Sequence, residues 1–418
     1  MPEFLHLISP SEALDKLFAA LPQSWTAGSE VVQTREALGR ILTEPVSAPH
    51  PLPAFPRSTV DGYAVQAKDT FGASGSLPAY LKLIGEILMG RSPTVEVRRG
   101  ETALVHTGGT IPEGADAVVM LEDTQLIDDN EIEVYRAAGV GQNVLVEGED
   151  VQRGDVVLEP GTVLRPQEIG GLMALGVTSV SVASLPRVGI LSSGDEVVSP
   201  DITPGPAQVR DINSYSLGAL IEQLGGKPIL RGIIPDQREA LLQAVKKAHQ
   251  EDDLILITAG SSVSARDITG EIIQSLGDPG VLVHGISIKP GKPTILAVAD
   301  SVPLIGLPGN PVSALVAGAL VLAPLIRHFL GIRRALPIPQ VPATLSVNIV
   351  SQAGREDFLP VRLVESDDGY IAEPVFGRSN LIFTLVRADG LVHIPSAATG
   401  LSEGAEVKVT LFSSELLP

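Results

Sequence analysis

Cysteine is absent from this chain. Disulfides, thiolate nucleophiles, iron–sulfur clusters and cysteine-bound zinc are thereby excluded, and nothing argues for an oxidising compartment. Positive charge is scarce as well: 30 lysines and arginines face 49 aspartates and glutamates, a net charge of −19. A nucleic-acid binder needs a basic footprint to neutralise phosphates, so that class is set aside. An anionic substrate would have to be met by a local cluster of cations. A long unbroken apolar run is missing too. The longest weakly charged stretch, Ser301 to Ile326, is interrupted by Pro308, Gly309, Asn310, Pro311 and Pro324, which predicts a buried helix and no membrane partner. The segment Met1-Pro2-Glu3-Phe4-Leu5-His6 carries an acid where a secretion signal carries positive charge, so a cytoplasmic location is expected.

What is present organises itself by periodicity. A chain of 418 residues suggests about three domains. From Ser11 the pattern is helical, with Leu14, Leu17, Phe18 and Leu21 on one stripe. Residues 47 to 185 read as short β-like runs between turns, such as Tyr80 to Ile87, Ala117 to Met120 and Glu131 to Tyr135. The character changes at Pro186. Continuous apolar runs (Val188 to Leu191, Asp253 to Thr258, Pro303 to Leu307) alternate with helical stretches at 213–224, around Leu241 to Ala248, and at 311–329. That alternation predicts a doubly wound α/β domain over residues 186 to 333, its sheet covered on both faces. From 337 to the end, short strands return, consistent with a small C-terminal β-barrel or sandwich.

Ligands of a doubly wound sheet bind at the carboxyl ends of its strands. Three loops fall there: Ser192-Ser193-Gly194-Asp195-Glu196, Thr258-Ala259-Gly260-Ser261-Ser262 and Gly306-Leu307-Pro308-Gly309-Asn310-Pro311. Small and hydroxyl residues let backbone N–H groups approach an oxyanion, with a helix N-terminus behind them. The same residues also serve as plain turn formers. None of the loops has a P-loop ending, and Gly139-Val140-Gly141 lacks the third glycine of a dinucleotide fingerprint.

Six ordered motifs carry a family resemblance across nearly the whole chain. Ser58-Thr59-Val60-Asp61-Gly62-Tyr63-Ala64 resembles the Ser-Ala-Met-Asp-Gly-Tyr-Ala motif of the molybdopterin molybdenumtransferases, whose eukaryotic relatives include the gephyrin E domain. Thr107-Gly108-Gly109 with Pro112 to Val119, Gly148-Glu149-Asp150, Ser193-Gly194-Asp195-Glu196, Ile288 to Pro293 and Gly306 to Ser313 match further motifs in the family's order. The resemblance implies an enzyme that seats molybdate on adenylylated molybdopterin and releases AMP with the help of Mg²⁺. It also implies a homodimer of four-domain chains: a connecting domain (residues 1–46 and 147–185), an inserted β-rich domain (47–146), the molybdopterin-binding α/β domain (186–333) and the C-terminal barrel (337–418). A molybdopterin adenylyltransferase or a molybdoenzyme would be the natural protein partner.

Residue roles follow from the same resemblance. Asp61, Asp150, Glu196, Asp236 and Asp267 match family site positions and are the expected magnesium ligands, since that ion takes oxygen donors. Asp61, Thr107, Glu196, Asp267, Lys289 and Lys292 are the expected catalytic set; Ser193, Gly194, Asp195, Gly260, Ser261, Ser262, Pro308, Gly309 and Asn310 are expected to bind the pterin. Lys289 and Lys292 are the best cationic pair for a tetrahedral dianion, with Arg355 and Ser379 as weaker candidates. Plainer readings stand beside these: a turn for Asp61, a helix capping box for Asp236-Gln237-Arg238-Glu239, a solvated surface for Glu196, packing or turn support for His106.

The chain also departs from the pattern. Pro56-Arg57 stands where the family commonly has Asp-Asn, and in the loop that begins at Thr258, Ala259 and Ser264 replace glycines while Ala265-Arg266 replaces negative or neutral side chains. Arg266 would add a cation beside an anion site. Those changes leave a non-catalytic pterin-binding or scaffold paralogue as an alternative, and sequence does not separate molybdate from tungstate.

Overall fold

The computed structural model describes residues 7–259, 263–333 and 338–412, except for the side chains of 263–267. At its centre lies a six-stranded sheet, β1 (Arg187–Ser193), β2 (Lys227–Ile234), β3 (Leu254–Ala259), β4 (Pro279–His284), β5 (Ile295–Ala299) and β6 (Val302–Pro308), in the order 2-1-3-6-5-4. β2, β1, β3 and β6 run parallel, whereas β5 pairs antiparallel with β6, and the edge strand β4 pairs antiparallel with β5. Both faces are covered, which is why β1, β3 and β6 show unbroken apolar runs. Alternate residues divide between two cores. Val188, Ile190, Leu256 and Ile305 pack with Leu217 of α1 (Asn213–Gln223) and Val321 of α4 (Pro311–Phe329). Ile255, Ile257 and Leu304 pack with Val245 of α2 (Arg238–Glu251) and Ile272 of α3 (Val263–Gln274).

α4 is long and apolar enough to cross a membrane, yet most of its residues are buried against the sheet and α1. The helix Pro10–Ala20 joins the same core through Ala13 and Leu17. Its start is fixed by Ser9, whose hydroxyl accepts the Glu12 N–H at 3.2 Å. Such an N-cap contributes about 1 kcal/mol.

The next stretch leaves and returns. Ser29–Gln33 pairs antiparallel with Ser179–Ala183, and Val46–Ser47 with Val156–Leu158, around Leu42, Leu164, Leu172 and Val182. Between those pairings lies a second six-stranded sheet built on Gly62–Val65, Ala79–Glu86, Glu101–Val105, Ala117–Met120, Thr124–Asp128 and Glu131–Val134. Gly62 sits where a Cβ would lie 2.1 Å from the Val119 carbonyl oxygen, so only glycine lets these strands pair directly after Asp61.

In the C-terminal region five strands, Gln340–Leu345, Glu356–Ser366, Gly369–Pro374, Gly390–Ile394 and Glu406–Leu411, close into a barrel around Leu345, Val361, Val392 and Val409. The two-residue strand Ile288–Lys289 pairs parallel with Glu356 and Asp357 of this barrel. A loop of the α/β region is thereby stitched to the barrel wall.

At the opposite end of the central sheet, the register of β1 against β2 skips one residue at Arg231. Its guanidinium grips Asp252 through Nε to Oδ2 at 2.8 Å and Nη2 to Oδ1 at 2.6 Å, and also meets Glu251. The Asp252 side chain is fully buried. Hydrogen bonding to Asp252, reinforced by Glu251, pushes the Arg231 pKa above its ordinary value, and Arg187 adds a second cation at 3.4 Å.

Candidate functional site

Where the stitched loop, the N-terminus of α4 and the barrel meet, a cleft of about 1180 Å³ opens. Four cationic residues line it, Lys289, Lys292, Arg355 and Arg378, against a single acid, Asp357. Asp357 is buried and takes both forks of Arg355, Nε to Oδ1 at 2.8 Å and Nη2 to Oδ2 at 3.3 Å, while the Lys289 ammonium stands 4.0 Å away. One buried carboxylate thus holds two cations in position. Lys292 and Arg378 form no ion pair among the described residues and are exposed.

The helix end contributes donors. Asn310 is the N-cap of α4 but does not cap it with its side chain; its amide donates instead to Ser379 Oγ at 3.0 Å. The Val312 N–H donates to the Ser379 carbonyl at 3.1 Å. Pro308, Asn310 and Ser379 all line the cleft with the lysines, so part of the expected pterin-binding loop and the expected cationic pair share one cleft. The positive end of the helix dipole faces the same space. Behind it, the Asn213 amide donates to the Gly309 carbonyl at 2.9 Å, and its own Oδ1 is buried without a partner.

A second group sits at the carboxyl ends of β1 and β2. Ser193 Oγ donates to Asp236 Oδ1 at 2.6 Å, and the Asp236 N–H donates to Asp195 Oδ1 at 3.1 Å. Asp236 is therefore no helix cap: the N-cap of α2 is Gln237, and it makes no side-chain capping bond. The Ser193 hydroxyl, out of reach of any local pattern, claims the carboxylate. Gly194 lies at the same turn with Glu196 folded beside it and exposed.

Asp61 and Thr107 meet on the inserted sheet, the Thr107 N–H donating to Asp61 Oδ1 at 2.9 Å. His106 lies beside them as a charge bridge, its Nε2 2.7 Å from Glu86 and its Nδ1 3.5 Å from Asp61. The Glu86 hydrogen bond holds the His106 pKa above its ordinary value, with Asp61 adding to it. Its carbonyl also accepts the Gly109 N–H at 2.8 Å, so turn support is only half of its role.

Of the expected magnesium ligands, the structure describes the side chains of Asp61, Asp150, Glu196 and Asp236, while that of Asp267 lies outside the described residues. Asp61 and the exposed Asp150 lie in segments apart from Glu196 and Asp236, and no set of three carboxylate or histidine side chains among the described residues could hold a cation. Gly260, Ser261 and Ser262 fall outside the described residues, as do the side chains of Arg266 and Asp267 within α3.

Three family models match in succession: "MoeA N-terminal region (domain I and II)" over residues 8–176, "Probable molybdopterin binding domain" over 189–328 and "MoeA C-terminal region (domain IV)" over 342–412. The chain belongs to the MoeA family. A protein of Methanocaldococcus jannaschii assigned to molybdopterin biosynthesis is 37% identical over 90% of each chain. The molybdopterin molybdenumtransferase of Haemophilus influenzae is 31% identical over 97% of this chain and 99% of its own. Among solved structures, a MoeA molybdopterin biosynthesis protein of Pyrococcus horikoshii superposes with a TM-score of 0.83 at 32% identity, covering 97% of this chain and 100% of that one. As a MoeA enzyme the chain is a transferase. Asp357 and Arg378 are the MoeA cleft residues that sequence reading passed over; the two-residue spacing of Arg355 and Asp357, which puts side chains on one strand face, was the signal for the first.

Proposed function

We propose that this MoeA protein transfers molybdenum from molybdate to molybdopterin, taking the adenylylated pterin and releasing AMP. The observation that carries this reading is the cleft: four cations and one acid converge in a chain of net charge −19. Lys292 and Arg378, not neutralised by any carboxylate among the described residues, supply charge for an oxyanion or phosphate, while Lys289 and Arg355 are held in place by Asp357. The Ser193–Asp236 group and the Asp61–Thr107 pair are the further proposed contacts, with a homodimer in the cytoplasm as the working unit. Magnesium remains part of this proposal only through a set of ligands that a second chain would complete.

Purified protein incubated with adenylylated molybdopterin, Mg²⁺ and molybdate is expected to release AMP and yield metal-loaded pterin. Pterin binding without AMP release would overturn the catalytic reading in favour of a binding or scaffold role.

A further inference from the structure

The wall of the cleft formed by residues 375–380 is a preformed loop with an unusual display. Phe376 is 72% exposed even though it lines a cleft, and among the described residues its ring meets no aromatic neighbour. Arg378, two residues on, lines the same cleft. The backbone between them is tightly set. At Gly377 a Cβ would lie 2.1 Å from the Thr384 hydroxyl, so this position accepts only glycine without displacing a buried side chain. The loop is held at both ends as well: the Val375 N–H donates to the Pro360 carbonyl at 2.9 Å, and Ser379 is latched to Asn310 and Val312 at the start of α4.

A large apolar ring left 72% exposed on a loop held at both ends buries little of its surface among the described residues. From this display we infer that Phe376 is a stacking platform for a planar heteroaromatic ring, and that Arg378 pairs with the phosphate carried by the same ligand. The ligand class is a phosphorylated heterocycle, which in the reaction proposed above is either the adenine or the pterin end of the substrate; the inference rests on that reading. Aromatic faces accept any π-system, and the guanidinium plane matches phosphate oxygens. Because the loop is preset, little ordering entropy opposes the contact.

Direct calorimetric binding to the full-length chain tests this without turnover. Phe376→Ala is expected to raise the dissociation constant for AMP or for molybdopterin about tenfold, with Phe376→Trp restoring it; which of the two ligands responds tells the adenine end from the pterin end. Arg378→Gln is expected to weaken the phosphorylated ligand and leave its phosphate-free counterpart, adenosine in the AMP case, unchanged. Since Phe376 is exposed, neither of its variants should disturb folding, and unchanged urea midpoints check this. Dissociation constants for both ligands within twofold of wild type in Phe376→Ala would overturn the platform, even if wild type turns over molybdate. Conversely, Phe376-dependent binding in a protein that releases no AMP would keep the platform and defeat the proposed reaction.

Discussion

Two arginine–aspartate pairs, Arg231–Asp252 and Arg355–Asp357, are built differently. At one end of the central sheet, Arg231 and Arg187 meet Asp252 and Glu251, two cations against two acids, with the Asp252 side chain at 0% exposure. At the cleft, Arg355 meets Asp357 at 9% side-chain exposure, and of the three further cations that line the cleft only Lys289 comes within 4.0 Å of that acid. The first group closes its charge balance within the protein and has nothing left to offer a ligand. The second is deliberately unbalanced. A local surplus of cations in a strongly acidic chain is costly in self-repulsion unless an anion relieves it.

The sharpest way to break this contrast is Arg231→Met, which takes both close hydrogen bonds from a buried carboxylate and leaves it only Arg187 at 3.4 Å. Stability is expected to fall by about 3–5 kcal/mol, read as a drop in the urea midpoint, with cleft affinity per folded molecule unchanged. Lys292→Ala should do the opposite. Losing an unneutralised, exposed cation is expected to weaken molybdate binding about ten- to a hundredfold, the worth of a charge-assisted contact, and leave the urea midpoint alone; added salt should erode wild-type binding in the same direction. If both variants lost stability and neither lost affinity, the division between structural and binding charge would be wrong.

Smaller effects refine the picture. Ser9→Ala removes the cap of a helix that packs on the central core and should cost about 1 kcal/mol in chemical denaturation, without touching the cleft. His106 gives the least. Its pKa is raised above the ordinary value near 6.5, chiefly by Glu86, so the bridge stabilises the fold fully below that ordinary value and fades as pH rises through the folded value. The difference in urea midpoint between wild type and His106→Gln is therefore expected to be widest at about pH 5.5 and to close in mild alkali. A gap that grew with pH would show the imidazole acting as a neutral hydrogen-bond partner instead.

Much of the fold was legible because local periodicity and long-range packing agree. The helix read at 311–329 is α4, and the stretch read as a strand at 253–258 lies within a residue of β3. What stayed hidden depends on register between distant segments. Nothing local in Ile288-Lys289 says that it pairs with Glu356 and Asp357, yet that pairing is what brings Arg355 and Lys289 to one carboxylate. The four-residue pattern at Asp236 did suggest a cap, and it misled because Ser193, 43 positions upstream, competes for the same oxygen. His106 was underrated for the same reason: Glu86 lies 20 positions before it.

The stitch between Ile288–Lys289 and the barrel also sets an order of events in synthesis. Arg355, Asp357, Arg378 and Ser379 follow the central sheet in the chain, and domains tend to fold as they emerge from the ribosome. A nascent chain ending near residue 333 has its central sheet and both lysines but neither the carboxylate that orients Lys289 nor the second wall of the cleft. The cleft is thus complete only once the barrel strands have been made and have closed on the stitched loop.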